Sequence, residues 1–219
     1  MSIKLMIWDF DGTILDTKKA IVFAKQETMR QLGLPVADER ACADTIGLSS
    51  RIGFGLMYPE LSEEMLDKCV VNYRANFDKS KFEIPPTLFT GVVEVLGELK
   101  EKGMILTIAT SRNRKSLIDF LERFGLKDYF SYLLAAEDTE RLKPNPDPVL
   151  RTMNDLGMGV SETIVIGDMP YDILMGKNAG VRTVGVTYGN ASREKLEEAG
   201  ADLIIDTIEE LTEKTARLE

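Results

Sequence analysis

Two aspartates near the beginning of the chain have the type and spacing of a catalytic pair. They lie in the segment Asp9-Phe10-Asp11-Gly12-Thr13, which follows the apolar run Leu5-Met6-Ile7-Trp8. Two carboxylates separated by one residue at the end of a strand can share a divalent cation, while one attacks an electrophile and the other moves a proton. An isolated pair of this kind would often be only a turn or a helix cap. The preceding apolar run and the following Gly-Thr favour a catalytic site.

Three further polar segments follow apolar runs and could meet the first one in space. They are Thr110-Ser111-Arg112, Lys143-Pro144-Asn145-Pro146-Asp147 and Gly167-Asp168-Met169-Pro170-Tyr171-Asp172, the second of them reached through a longer loop. In an open parallel sheet the ligand crevice lies outside the carboxyl ends of the strands, so distant segments converge there. Because the chain contains no histidine, proton transfer near neutral pH must come from carboxylates, lysine or metal-bound water.

The segments around these motifs alternate between strand-like and helix-like patterns. Apolar runs of strand length lie at Leu5 to Trp8, Ile105 to Ala109, Tyr132 to Ala135, Thr163 to Ile166, Arg182 to Val186 and Leu203 to Ile205. Helical spacing of apolar residues precedes Gly103, Gly125 and Gly157, and glycine is common just beyond a helix C-terminus. Such alternation predicts βαβ units. We therefore expect an α/β fold with a three-layer, Rossmann-like core built on a mostly parallel sheet.

One long stretch interrupts this alternation. Residues 16–83 contain helical patterns but no convincing buried strand. We interpret 16–83 as an inserted α-helical cap domain, and residues 1–15 and 84–219 as the α/β catalytic core. The pair Pro85-Pro86 stops helices and stiffens the chain, so we expect a hinge there and near Thr13 to Thr17.

The composition is that of a globular protein and narrows the classes of partner. Hydrophobic residues make up 44% of the 219, and the formal net charge is −9. Nucleic acid is disfavoured as a partner because phosphate backbones require clustered Lys and Arg. No apolar stretch is long enough to cross a bilayer and no signal region is visible, so we expect a cytoplasmic protein with no membrane partner. In that compartment Cys42 and Cys69 are expected to be buried thiols rather than a disulfide, and the sequence carries no signal for an oligomeric state.

In their order and character, the four motifs resemble those of the haloacid dehalogenase superfamily, and in particular its phosphatases with a helical, C1-type cap after the first motif. The first motif of that family has a nucleophilic Asp and a second Asp two residues later, which match Asp9 and Asp11. The second motif is a Thr or Ser that ends a strand, here Thr110, and the third is a Lys, here Lys143. The fourth is Gly-Asp-x-x-x-Asp, which matches Gly167 to Asp172.

The resemblance implies a magnesium-dependent reaction through an aspartyl-phosphate. Asp9 would be the nucleophile and, with Asp168, a side-chain ligand of Mg²⁺, because carboxylate attack on an anionic phosphate ester requires a neutralising cation. Asp11 would contribute its backbone carbonyl to the metal, and its side chain would protonate the leaving oxygen and later activate water. Asp172 would orient either the metal's coordination or Lys143. The implied metal site therefore comprises Asp9, Asp11, Asp168 and Asp172.

Contacts with the substrate are implied by the same resemblance. Lys143 and Thr110 would contact the transferring phosphoryl group, together with the backbone N–H of Ser111. Arg112 could contact substrate as well, or could be only a charge at the start of a helix. In the cap, Arg51 follows a loop with a central glycine and could pair with a substrate carboxylate or a distal phosphate. The alternative for Arg51 is a solvated surface arginine.

The second acid of the first motif favours phosphoryl transfer, because the dehalogenase branch of the superfamily lacks an Asp at the position of Asp11. Segments near the C-terminus, including Val186-Thr187-Tyr188-Gly189, are similar to those of phosphoglycolate phosphatases, although Met169-Pro170 departs from the family's Ser after Gly-Asp. We therefore expect a phosphoric monoester hydrolase acting on a small phosphorylated metabolite such as phosphoglycolate. The alternatives are a hexose-phosphate mutase of the β-phosphoglucomutase kind and a catalytically silent binding protein on the same scaffold.

Overall fold

A parallel sheet of six strands forms the centre of the fold. The computed structural model describes residues 3–214, so residues 1–2 and 215–219 of the predicted core segments lie outside the described residues. In chain order the strands are β1 (Leu5–Trp8), β2 (Leu15–Asp16), β3 (Thr87–Leu88), β4 (Ile105–Ala109), β5 (Tyr132–Leu134), β6 (Thr163–Gly167), β7 (Arg182–Val186) and β8 (Leu203–Ile205). The main sheet has the order β5-β4-β1-β6-β7-β8, with all neighbours parallel. The predicted α/β fold is confirmed, and each predicted strand of this sheet ends within one residue of the observed bounds.

The α-helices divide into two groups along the chain. They are α1 (Lys18–Gln31), α2 (Glu39–Ala43), α3 (Ser50–Met57), α4 (Glu63–Glu83), α5 (Val92–Glu101), α6 (Arg114–Arg123), α7 (Asp147–Leu156), α8 (Pro170–Asn178), α9 (Arg193–Glu198) and α10 (Glu210–Lys214). Helices α1 to α4 lie between β2 and β3, and α1 packs along α4. We call this segment the helical insertion. The other helices alternate with the strands of the main sheet or follow the last of them.

The central strand β1 shows why the core has three layers. Its side chains are all buried, and successive side chains of a strand point to opposite faces of the sheet. Met6 and Trp8 pack into the cluster that includes apolar residues of α5 and α6. Leu5 and Ile7 pack into a second cluster with apolar residues of α7 and α8. The sheet is therefore covered by helices on both faces, as expected for strands that are continuously apolar.

The helical insertion is joined to the core by a short pair of strands that the sequence pattern did not predict. Strands β2 and β3 are antiparallel, with Leu15 opposite Leu88 and Asp16 opposite Thr87. Strands of two residues are too short to show a hydrophobic period. The two passages of the chain between core and insertion therefore lie side by side.

Some side chains buried inside the helical insertion are polar or carry a thiol. Asn76 on α4 donates from Nδ2 to Thr28 Oγ1 on α1 at 3.0 Å. Cys42 and Cys69 are free and buried, as predicted. Within residues 3–214, no helix combines the length and apolar character needed to span a membrane.

Candidate active site

The four predicted motifs meet at the carboxyl edge of the main sheet. Because β1 lies between β4 and β6, Asp9, Thr110 and Asp168 follow three adjacent strands. Backbone hydrogen bonding continues past the strand ends, since Asp9 N donates to Ile166 O at 2.8 Å. Lys143 belongs to the loop between β5 and α7, and its ammonium reaches Asp9. Segments that are distant in the sequence therefore form one site.

A buried lysine joins two of the carboxylates. Lys143 Nζ donates to Asp9 Oδ1 and forms an ion pair with Asp172 Oδ1 at 2.7 Å. All three side chains are at most 2% exposed. Burial alone would lower the pKa of Lys143, but the two carboxylates raise it above its ordinary value, so the ammonium stays charged. Of the two roles predicted for Asp172, orientation of Lys143 is the one with a direct contact.

Asp168 is held by hydrogen bonds from neighbouring loops. Asn190 donates to Asp168 Oδ2 from its backbone N at 2.7 Å and from Nδ2 at 2.8 Å, and Thr13 Oγ1 donates to Oδ1 at 3.3 Å. Burial and the negative charge of Asp172 raise the pKa of Asp168 to about 7. A Cβ at Gly189 would overlap the Asp168 side chain. The absence of a side chain at Gly189 therefore allows the backbone to approach this carboxylate.

Three carboxylates are grouped closely enough to hold one cation. One oxygen from each of Asp9, Asp168 and Asp172 lies within 4.8 Å of the others. Burial raises the pKa of Asp9 well above its usual value, with Lys143 opposing and the other two aspartates adding to the effect. Asp9 Oδ2 is buried and has no hydrogen-bond partner among residues 3–214. One ammonium does not neutralise three carboxylates, and oxygen donors are the ligands that Mg²⁺ prefers, so this donor set fits a magnesium ion.

Asp11 lies next to this group, but its side chain has different partners. Arg112 Nε donates to Asp11 Oδ2 at 2.9 Å, and Arg112 Nη2 donates to Oδ1. Thr17 Oγ1 also donates to Oδ1, at 2.6 Å. The Asp11 carboxylate is therefore held by three donors away from the carboxylate cluster. Its predicted metal contact, through the backbone carbonyl, stays a prediction.

Arg112 is a buried residue rather than a solvated charge at the start of α6. Its side chain is 6% exposed, and its guanidinium carbon lies 4.6 Å from the ring centre of Phe77 and 5.0 Å from that of Phe120. Burial alone would lower the pKa of Arg112, but the ion pair with Asp11 raises it above its ordinary value. A planar guanidinium can stack on rings while it binds a carboxylate through two N–H groups. Arg112 therefore links Asp11 to aromatic rings of both the insertion and the core.

One of the two predicted phosphate-binding residues at the end of β4, Ser111, also contacts the helical insertion. Thr110 is buried and lines the cavity described below. Ser111 Oγ donates to Gly47 O, in the loop before α3, at 2.6 Å. On the same side of the insertion, Tyr171 Oη donates to Asp44 O at 3.0 Å. The loop between α2 and α3 is therefore bonded to two of the core motifs.

The core and the helical insertion enclose a cavity of about 280 Å³. Asp9 and Thr110 lie on the part of its wall that the core provides, which we call the core side. Lys25 and Arg74 lie on the part provided by α1 and α4, which we call the insertion side. A space of this size suits a small metabolite rather than a macromolecule.

Arg51, which the sequence predicts to contact substrate, lies elsewhere on the helical insertion. Its guanidinium forms ion pairs with Glu63 and Asp67. Hydrogen bonds to these two carboxylates raise the pKa of Arg51. Arg51 does not belong to the lining of the cavity among the described residues. A contact with substrate stays a prediction, and it would require the guanidinium to leave both carboxylates.

Several residues near the site, among them Asn190, Lys25 and Thr17, were not identified from the sequence. Asn190 comes shortly after β7, so the rule that polar residues follow the carboxyl ends of strands could have found it. Lys25 lies four residues after Ile21 on the buried face of α1, and a charge within an apolar helical stripe was the available signal. Thr17 precedes α1 as its N-cap residue, and no pattern separates it from an ordinary helix start.

This chain is similar to known hydrolases over most of its length. A family model described as haloacid dehalogenase-like hydrolase matches residues 6–186. The chain is 37% identical over 209 residues to a protein named probable phosphatase IndB of Dickeya dadantii, across 94% of this chain and 91% of that protein. It is 32% identical to pyrophosphatase PpaX of Halalkalibacterium halodurans, across 96% of each chain. It is 29% identical to a phosphoglycolate phosphatase of Vibrio parahaemolyticus, across 98% of this chain and 96% of that one.

Solved structures share the same fold. A crystal structure described as a predicted phosphatase from Clostridium acetobutylicum superimposes with a TM-score of 0.90 at 27% identity, across 99% of this chain and 100% of that chain. The match includes both the main sheet and the helical insertion, since it leaves almost no part of the chain out.

Proposed function

This chain belongs to the haloacid dehalogenase-like hydrolase family and is a phosphatase, and from this premise we propose that it is a magnesium-dependent phosphomonoesterase that acts through an aspartyl-phosphate. The observation that carries the proposal is the buried Asp9, which lies beside Lys143 within the carboxylate cluster and faces the cavity. A carboxylate can attack a phosphate ester only when the charge of the ester is neutralised. The site combines an ammonium with oxygen donors for a divalent cation, which is the combination that this attack requires.

In the first step, Asp9 attacks the phosphorus of the bound ester and the bond to the leaving oxygen breaks. Asp11 gives its proton to that oxygen, so the alcohol leaves in its neutral form. Lys143 holds the Asp9 carboxylate and places a positive charge beside the transferring phosphoryl group. The Thr110 hydroxyl and the backbone N–H of Ser111 donate hydrogen bonds to the phosphoryl oxygens.

In the second step, water attacks the phosphorus of the aspartyl-phosphate and the bond to Asp9 breaks. Asp11, now a carboxylate, takes the proton of that water and returns to its acid form. The hydrogen bonds from Arg112 and Thr17 keep Asp11 in one position, and the carboxylate that they hold is the form that accepts the proton of water in the second step. In this proposal Arg112 acts through Asp11 and is a positioning residue, beside its predicted contact with substrate.

The side chains of Asp9 and Asp168 and the backbone carbonyl of Asp11 would hold the magnesium ion. When bound, the ion would supply the positive charge that neutralises the phosphate ester as Asp9 attacks. Asn190 orients the Asp168 carboxylate through two hydrogen bonds, as outer partners of metal ligands commonly do. Asp172 forms an ion pair with Lys143 and so holds that ammonium beside Asp9.

We propose a small phosphate ester in the cytoplasm as substrate, with phosphoglycolate-like compounds as the first choice. The volume of the cavity, about 280 Å³, and a relative named phosphoglycolate phosphatase support this choice. A relative named pyrophosphatase supports a second candidate, in which the leaving group is itself a phosphate. The net charge of −9 disfavours nucleic acid.

A substrate panel tests the proposal. The purified protein is incubated with phosphoglycolate, pyrophosphate, nucleotides and sugar phosphates, with and without Mg²⁺, and both free phosphate and isomerised sugar are measured. We expect phosphate release that depends on Mg²⁺ and is lost in Asp9→Asn. Isomerised sugar without free phosphate would instead favour the mutase. Absence of turnover with every ester would favour a silent binding protein.

A further inference from the structure

A buried lysine of the helical insertion faces the proposed active site. Lys25 lies on α1, is 3% exposed and lines the same cavity as Asp9. Its ammonium donates to Cys42 O at 2.9 Å and to Thr45 Oγ1 at 2.6 Å. An ammonium has three N–H donors, so one of them is not used by these two bonds. Lys25 can therefore serve a ligand in the cavity without losing its protein contacts.

Lys25 differs from the other buried cations of the site in its lack of a counter-charge. Arg112 and Lys143 each pair with an aspartate. Among residues 3–214, no carboxylate forms an ion pair with Lys25, and the Cys42 thiol is the titratable group that acts on it. Burial lowers the pKa of Lys25 to about 8. Because a buried charge without a partner is unfavourable, an anion bound beside Lys25 would remove an existing penalty.

A second cation on the insertion side also lacks an ion pair within the described part of the chain. Arg74 on α4 is exposed and lines the cavity. By contrast, the exposed Lys115 on the core side pairs with Asp119 at 2.8 Å. The proposed nucleophile lies on the core side, so the phosphoryl group must bind there. The unpaired positive charges of the insertion side then face the remainder of the substrate.

On the basis of the proposed phosphatase function, we propose that Lys25 determines specificity by binding a second anionic group on the leaving portion of the substrate. That group is a carboxylate or a second phosphate, because both accept charge-assisted hydrogen bonds from an ammonium. Arg74 adds positive charge at the outer part of the same wall. Phosphate monoesters with an uncharged leaving portion lack this contact and are poorer substrates.

Lys25 also has a structural contact, which the test must separate from recognition. Cys42 and Thr45 belong to the segment that leads to Gly47, the residue bonded to the core through Ser111. If Lys25 only supports this segment, its replacement changes the turnover of every substrate alike. If Lys25 binds an anion, its replacement changes only the turnover of substrates that carry one.

The test uses substrate pairs that differ in one anionic group. The values of kcat/KM are compared for 2-phosphoglycolate and 2-phosphoglycolamide, whose amide replaces the carboxylate, and for propane-1,3-diol bisphosphate and the monophosphate. In the wild-type protein we expect the charged member of at least one pair to be preferred by about tenfold or more. Lys25→Met should remove most of that preference, while turnover of p-nitrophenyl phosphate changes by less than about threefold. Lys115→Met is the matched control and should keep the preference.

The outcomes distinguish this proposal from the phosphatase proposal. A wild-type preference below about twofold in both pairs overturns the role of Lys25 whether or not the variant folds. Equal losses with all substrates in Lys25→Met also overturn it, because they indicate support of the loop alone. Turnover of p-nitrophenyl phosphate reports on the phosphatase proposal separately. If no ester is hydrolysed, calorimetric binding of the same pairs to the wild-type protein with Mg²⁺ decides, and equal affinities within each pair overturn the proposal.

Discussion

Two buried lysines near the cavity, one in the core and one in the helical insertion, have opposite electrostatic surroundings. In the core, next to Asp9 of the core side, Lys143 lies between Asp9 and Asp172, and these carboxylates raise its pKa against the effect of burial. On the insertion side, Lys25 donates to a backbone carbonyl and a hydroxyl, and burial lowers its pKa. Both lysines are at most 3% exposed. The difference therefore comes from their partners and not from their depth.

This difference indicates a division of tasks between the two sides. The charges of the core side are held by one another before a substrate arrives, which is the preorganisation that phosphoryl transfer requires. Two cations of the insertion side, Lys25 and Arg74, have no ion pair among residues 3–214, and an anionic substrate could supply one. Chemistry shared by a family can thus stay in the core while recognition varies in the insertion, because sites on one fold serve different substrates.

Removal of the buried lysine of the core, Lys143, should have the largest effect. Lys143→Met leaves Asp9 and Asp172 buried without their cation, so we expect the free energy of unfolding to fall by about 3–5 kcal/mol. We also expect kcat to fall by about 10³-fold or more. Urea unfolding without added Mg²⁺ and turnover of p-nitrophenyl phosphate measure the two effects. Lys25→Met is the matched control, and an equal loss of stability in both variants would break the comparison.

Replacement of the proposed proton donor should have the next largest effect, and its size should depend on the leaving group. In Asp11→Asn we expect kcat/KM for alkyl phosphates to fall by about 10²–10³-fold, with a smaller loss for p-nitrophenyl phosphate because its weakly basic leaving group needs less protonation. This parameter covers the steps up to departure of the alcohol. Asp128→Asn, at an exposed position, is the control. Equal losses for both kinds of ester would exclude Asp11 as general acid.

Lys25→Met should change how stability depends on pH. Burial lowers the pKa of Lys25 from its ordinary value of 10.5 to about 8. Between these values the unfolded chain binds a proton that the folded chain does not, so the free energy of unfolding of the wild-type protein rises with pH; the penalty is fully present below pH about 8. Relative to Lys25→Met, the wild type should gain on the order of 3 kcal/mol between neutral pH and about pH 10.5.

Urea unfolding of both proteins across this pH range measures the gain. Lys79→Met is the control, because Lys79 is also on the insertion but is exposed, and its difference from the wild type should not change with pH. A pH-independent difference for Lys25→Met would mean that this ammonium is not penalised by burial. The contrast between the two sides of the cavity would then be lost.

Arg51→Met should have the smallest effect. It tests whether a positive charge elsewhere on the helical insertion can also recognise the anionic group of the substrate. Arg51 pairs with Glu63 and Asp67 outside the lining of the cavity. We expect kcat/KM for 2-phosphoglycolate to change by less than about twofold, because Arg51 lies outside the cavity lining and its exposed ion pairs contribute little to the stability of the fold. A loss as large as that of Lys25→Met would place substrate recognition at Arg51 and extend the insertion side beyond the cavity.

The core side could be predicted from the sequence because its residues follow a simple rule of topology. Asp9, Thr110 and Asp168 each come directly after an apolar run, and parallel strands bring their carboxyl ends to one edge. The strand positions were predicted because buried parallel strands are continuously apolar. Lys143 fits the rule loosely, through a long loop, and its order among the motifs indicated its place.

The insertion side could not be predicted in the same way. Lys25 and Arg74 lie in helical patterns like those of any amphipathic helix, and their neighbours depend on how the helices pack. Arg112 shows the same limit, because whether it is a surface charge at the start of a helix depends on side chains of remote segments, such as Asp11 and Phe77 of α4. Strands β2 and β3, which join the two regions, are too short for their pattern to be recognised.

By itself, the sequence determined where the strands lie, the order of the motifs and the collection of acids at one edge of the sheet, because these follow from local periodicity and parallel topology. Only the tertiary structure decided which charges have partners. Among the described residues Lys143 has an ion pair and Lys25 has none, although both side chains are buried. The physical reason is that Coulomb interactions and desolvation depend on distances between atoms of remote segments, and only the packing of the insertion against the core sets those distances.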